Sequence, residues 1–124
     1  MPAREVVARF VQMVERCEFL AAYEEFYADD ATAQENSQPL RQGKPALLEH
    51  ERKMLASSPE LPVVRAESLV LDGDQVAINW VVEFTDQQGR KRLLDEVALQ
   101  VWRGGQIIRE RFFYDPATLV IPPS

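Results

Sequence analysis

VVRAESLVLDGDQVAINWVVEFTDQQGRKRLLDEVALQVWRGGQIIRERFFY, residues 63–114, carries the pattern from which the architecture follows. Apolar and polar residues alternate in four runs, Val63 to Leu71, Gln75 to Thr85, Lys91 to Arg103 and Gln106 to Tyr114, the period of strands rather than helices. Asp72-Gly73, Asp86 through Gly89 and Gly104-Gly105 separate the runs with turn chemistry, so the stretch predicts four sequential antiparallel strands. Val76, Ile78, Trp80, Val82 and Phe84 form one apolar face, while Leu93, Val97, Leu99 and Val101 oppose Leu94, Ala98 and Trp102 on the next strand. If the helices cover only one side of this sheet, the other exposes a large apolar patch. The apolar residues on the other side predict a homodimer packed through the sheet.

Upstream the period becomes helical. Val6, Val7, Phe10, Val11, Val14 and Cys17 share a face of an amphipathic helix over 2–17, and Phe19, Leu20, Tyr23, Phe26 and Tyr27 line a second over 18–27. Asp29 and Asp30 read as a stop and turn before a short strand over 31–36. The polar loop 37–44 reads as a pocket rim. Pro45 then starts a third helix running to about Ser57, with Leu47, Leu48, Met54 and Leu55 inward and Glu49, Glu51, Arg52 and Lys53 solvated. Helices first and a strand meander afterwards is an α+β order, three N-terminal helices packed on a curved, mainly antiparallel sheet.

One domain over 1–124 is expected, since a chain of 124 residues buries roughly two-thirds of its unfolded surface. The net charge of −6 disfavours nucleic acid and anionic membranes as partners. Cys17 is the only cysteine and His50 the only histidine, so disulfide frameworks and Cys/His zinc sites are excluded within one chain, and no metal or cofactor is expected. No apolar run approaches the ~20 residues of a membrane span, and a cytoplasmic location is expected. P-loop, dinucleotide and serine-hydrolase motifs are absent from the sequence.

Phe26-Tyr27-Ala28-Asp29-Asp30-Ala31-Thr32, Gly43 before a third helix, Gln88-Gly89-Arg90-Lys91, Gly105-Gln106-Ile107 and Phe113-Tyr114-Asp115-Pro116 together carry a resemblance. With them the chain resembles the SnoaL-like and ketosteroid-isomerase-like branch of the NTF2-like superfamily. The resemblance implies an NTF2-like cone, usually dimeric, around a mostly apolar cavity for a small molecule. Ketosteroid isomerases use a carboxylate base, a tyrosine and a protonated aspartic acid. The resemblance puts these at or near Asn36, at Phe10 and at Ala98, none of which can do that chemistry. It therefore implies the cavity without the isomerase set, and makes Phe10, Asn36 and Ala98 ligand-binding positions.

Other cavity candidates depend on the last hairpin. A bulged register puts Glu96, Ala98 and Gln100 on one face with Ile108, Glu110, Phe112 and Tyr114; a direct two-residue turn joins them instead to Ile107, Arg109, Arg111 and Phe113. The bulged register makes Glu96 and Glu110 catalytic candidates and Phe112 and Tyr114 ligand-binding ones. Glu83 and His50 complete the catalytic set, because a carboxyl in an apolar cavity or a histidine can exchange a proton near neutral pH. The same glutamates could be solvated or paired with Arg92, Arg109 or Arg111, and His50 exposed among its charged neighbours. Cys17 reads as a small buried hydrophobe. Two functions remain open: a small-molecule-binding protein acting as a cofactor-independent isomerase, cyclase or hydrolase, and a non-catalytic dimerisation or protein-interaction module.

Overall fold

A computed structural model describes residues 2–121. The helices are α1 (Arg4–Glu15), α2 (Phe19–Phe26) and α3 (Lys44–Ser57). The strands are β1 (Tyr27–Glu35), β2 (Arg41–Gln42), β3 (Val63–Asp72), β4 (Gln75–Thr85), β5 (Lys91–Arg103), β6 (Gln106–Tyr114) and β7 (Leu119–Val120). One mixed sheet runs β2-β1-β6-β5-β4-β3, with β7 pairing β5 beyond the end of β6. The four predicted strands are the antiparallel ladder β3 to β6, within a residue of the expected bounds.

The helices cover one face of this sheet. Val7 and Phe10 from α1, Ala22 and Phe26 from α2 and Leu47 from α3 meet Val76, Ile78, Trp80, Ala98, Trp102 and Ile107 in one buried cluster. Phe10 packs edge-on against Phe26 and Trp102, with ring centroids 5.4 and 5.9 Å apart. Helix α1 ends in a Schellman motif: Cys17 N–H donates to the Val14 carbonyl and Glu18 N–H to that of Met13. Cys17 stands at the left-handed position with φ 61°. It is half-buried rather than buried as expected, and its Sγ lies 3.2 Å from the Pro62 carbonyl.

Three expectations change. Asp29 and Asp30 do not end an element; both are exposed inside β1, where the pairing with β6 jumps register between Tyr27 and Thr32 and leaves them outside the ladder. The loop 37–44 contains β2, whose antiparallel pairing carries Arg41 alongside Ala33. And β1 pairs with β6 in parallel, with residues 36–105 forming the long crossover that parallel pairing requires.

The last hairpin combines both registers considered above. Gly104 and Gly105, with φ 59° and 77°, make a direct two-residue turn that joins Arg103 to Gln106. Ile108 is then extra: Trp102 pairs Ile107 but Val101 pairs Arg109. This bulge, outside the turn, returns Glu110, Phe112 and Tyr114 to the face of Glu96, Ala98 and Gln100.

Candidate functional site

Between the helices and the inner face of the sheet lies a cavity of about 550 Å³. Its wall is apolar and aromatic, with Phe10, Tyr23, Trp80, Phe112 and Tyr114 among its residues, and it carries the carboxyls of Glu35, Glu51, Glu96 and Glu110.

Glu110 is 1% exposed. It lies on β6 across from Gln100 on β5, and beside Ala33 of β1. Tyr27 donates its hydroxyl to Glu110 Oε1, and Gln100 Nε2 donates to Oε2 at 2.7 Å. Burial drives the carboxyl pKa up to about 7, against these two donors, which pull it down. Tyr27 is held by the ring of Tyr23, 4.4 Å away between centroids. Its own hydroxyl is pushed well above the usual tyrosine range by burial and by Glu110.

Glu96 lies on the same face, opposite Tyr114. Burial pushes its pKa up to about 8, and the neighbouring charges of Glu110, Glu35 and Glu51 add to the rise. No hydrogen bond or ion pair to its side chain occurs among the described residues. It is therefore mostly protonated at neutral pH, beside a Glu110 near half-protonation.

A second network closes one side of the cavity. Tyr114 Oη donates to Glu35 Oε1 at 2.8 Å, and Arg41 Nη1 and His50 Nε2 approach Glu35 Oε2 at 2.9 and 3.2 Å. Burial and the adjacent Arg41 lower the His50 pKa more than Glu35 raises it, so the imidazole is neutral at pH 7.

The structure thus brings Glu96, Glu110, Phe10, Phe112 and Tyr114 to the cavity and leaves four candidates elsewhere. Glu83 is exposed on the opposite face of β4, because its odd position alternates with Trp80, Val82 and Phe84 on the wall. Ala98 is fully buried in the core and does not line the cavity. Asn36 does not line it either: its Oδ1 accepts Tyr114 N–H at 3.0 Å and its own N–H donates to the Phe112 carbonyl at 2.8 Å, which ties β1 to β6. His50 reaches the site only through Glu35.

Tyr27, Glu35, Arg41, Glu51 and Gln100 were not singled out from the sequence. Glu51 had a visible signal, since positions 47, 48, 51 and 55 share a helix face, and that face turns inward. Nor are Glu96 and Glu110 paired with Arg92, Arg109 or Arg111. Arg92 instead binds Asp86 and Thr118.

Solved structures share this architecture. A protein from Mesorhizobium loti, provisionally described as a SnoaL-like polyketide cyclase, superposes with a TM-score of 0.80 at 26% identity, covering 92% of this chain and 100% of its own. A second protein so described, from Jannaschia sp. CCS1, gives 0.77 at 17% identity over 90% of this chain and 83% of its own. An NTF2-like protein of unknown function from Burkholderia pseudomallei gives 0.78 at 14% identity over 90% and 88%. No curated protein matches the chain significantly. Among the described residues no helix is long and apolar enough to cross a membrane. Three helices on a curved mixed sheet are the α+β cone of NTF2-like proteins, and the SnoaL-like domain model matches residues 7–110, so the chain belongs to the SnoaL-like domain family.

Proposed function

We propose that the protein binds a small, mostly apolar molecule in the cone cavity and moves a proton on it without a cofactor, in an isomerase- or cyclase-like reaction. The carrying observation is the pair of carboxyls on one apolar wall, Glu110 held near pKa 7 and Glu96 near 8. At neutral pH one member of such a pair accepts a proton while the other donates one, the arrangement that shifting a proton along a carbon skeleton requires. Glu110 is the base and Glu96 the acid in this reading. Tyr114, fixed by Glu35, is a hydrogen-bonding group at the wall, and Phe10 and Phe112 supply apolar contact. An open cavity with convergent polar groups favours this over a non-catalytic interaction module.

A thermal-shift panel of steroids, terpenoids and polyketide-like aromatic ketones tests binding, where a ligand at 100 times its Kd adds about 2.7 kcal/mol of stability. Deuterium uptake at the carbon next to the carbonyl of a bound ketone then tests proton transfer. Glu110→Gln should abolish uptake while binding persists; uptake unchanged in both Glu110→Gln and Glu96→Gln overturns the reading.

The homodimer expectation belongs to the same proposal. On the outer face of the sheet Val97 and Phe113 are 41% and 40% exposed and pair directly across β5 and β6. Sedimentation velocity at micromolar concentration decides it, a monomer refuting the dimer.

A further inference from the structure

We propose that the cavity is built for a singly charged organic cation, an amine or quaternary ammonium whose positive end sits between Glu51 and Glu96. This inference rests on the cavity being the ligand site and adds the charge of the ligand.

The wall is one-sided in charge. Five carboxylic side chains line the cavity, Glu35, Glu51, Asp86, Glu96 and Glu110, and no Lys, Arg or His does so among the described residues. Three of the five have partners. Glu35 binds Arg41 and His50, Asp86 binds Arg90 and Arg92, and Glu110 receives Tyr27 and Gln100. Glu51, from α3, and Glu96, from β5, have neither a hydrogen bond nor an ion pair to their side chains among the described residues, although both are half-buried on the cavity wall.

A half-buried carboxyl without a protein partner is poorly served in either protonation state: ionised it lacks a countercharge, and protonated it lacks an acceptor on the wall. Without ligand the molecule takes the protonated option, and burial raises the pKa of both. Three ligand classes treat that situation differently. An anion meets five carboxyls and no cationic side chain on the wall, and is repelled. A neutral apolar molecule buries both carboxyls further without pairing them. A monocation draws one into its ionised form and leaves the other its proton. The aromatic lining suits a cation as well, because Tyr23, Trp80, Phe112 and Tyr114 present π-systems that attract a desolvated ammonium. A metal ion is the poorer fit, since no three His, Cys, Asp or Glu residues among those described are grouped to hold one.

Benzyltrimethylammonium and neopentylbenzene have nearly the same shape and differ in charge, so their dissociation constants at pH 7.5 isolate the charge preference. The cation is expected to bind at least tenfold more tightly. That preference should shrink at least fivefold in Glu51→Gln and in Glu96→Gln, and should be unchanged in Glu83→Gln, which removes the same charge from the outer face. Equal or tighter binding of the neutral isostere overturns the cation inference and leaves the cavity reading standing. Saturable binding of neither probe overturns both. A preference that falls equally in Glu83→Gln reflects the net acidity of the chain and also overturns the inference. If either glutamine variant fails to fold, the isostere pair on the unmodified protein decides alone.

Discussion

Trp102 and Glu110 do not bond to one another, yet the indole dictates what the carboxylate receives. Trp102 Nε1 donates to Gln100 Oε1 at 2.9 Å, and Gln100 Nε2 donates to Glu110 Oε2 at 2.7 Å. An indole N–H can only donate, so it must face the amide oxygen, and the amide NH₂ is left to face Glu110. The three residues follow from one register, with 100 and 102 on the same side of β5 and 110 opposite 100.

Trp102→Phe releases that constraint, so the Gln100 amide is free to rotate and Glu110 loses an assured donor. The Glu110 pKa should rise above about 7, because hydrogen bonds to the ionised form are what hold it down. Carboxyl ¹³C titration by NMR reads the shift. Loss of the buried hydrogen bond should also cost about 1–3 kcal/mol of stability in urea.

Stability should fall as pH rises through the neutral range. The folded-state values of Glu96 and Glu110, about 8 and about 7, lie above the usual carboxylate value of 4.5, so the folded state binds more protons than the unfolded one between these limits. Their contribution is therefore fully present below about pH 4.5 and is lost as pH approaches 7 to 8. The slope is at most about 1.4 kcal/mol per pH unit for each group. Melting temperatures from pH 5 to 8.5 should decline in the unmodified protein and decline less in Glu96→Gln. A flat profile in both refutes the raised values.

Asn36 is expected to act through the backbone. It adopts φ 49°, and its Oδ1 anchors Tyr114 N–H. Asn36→Ala loses that bond and places an alanine in the left-handed region, for a combined cost of about 2–3 kcal/mol. Asn36→Gly loses only the bond, so it should cost less, roughly 1 kcal/mol. Urea titration that ranks alanine and glycine equally contradicts this role.

Arg41 supplies a countercharge to Glu35 on the cavity wall. Arg41→Met should destabilise the fold by about 2 kcal/mol, the cost of stranding a partly buried carboxylate. It should also raise the His50 pKa, since Arg41 is one of the two causes lowering it most. Proton NMR of the single histidine follows that change directly. A His50 pKa that falls or stays fixed runs against the assignment.

Periodicity in the sequence was enough to place three helices and the four-strand meander, because burying one face imposes a period of 3.6 or 2 wherever an element is half-covered. It placed only the second half of β1, as a short strand over 31–36, because the Asp29-Asp30 pair reads as a turn and sits in the strand only because a register jump leaves both residues exposed. Glu51 was misread as solvated because its neighbours at 49, 52 and 53 are charged, although its spacing from Leu47 and Leu48 puts it inward. His50 and Glu83 carried plausible chemistry as residue types, and Asn36 and Ala98 were ligand-binding positions implied by the resemblance, but tertiary placement removed all four from the cavity wall.

Composition and local period carry the class of the fold, the identity of the strands and the acidic, histidine-poor stock from which a site is made. Which carboxyls face the cavity depends on long-range packing. That choice turns on one extra residue, Ile108, inserted beyond the Gly104-Gly105 turn. Shifting a strand by one residue exchanges its two faces, and the energy selecting the shift comes from packing Trp102 and Ile107 against helices distant in the chain. Glu110 owes its partners, its burial and its raised pKa to that long-range packing, which local spacing does not encode.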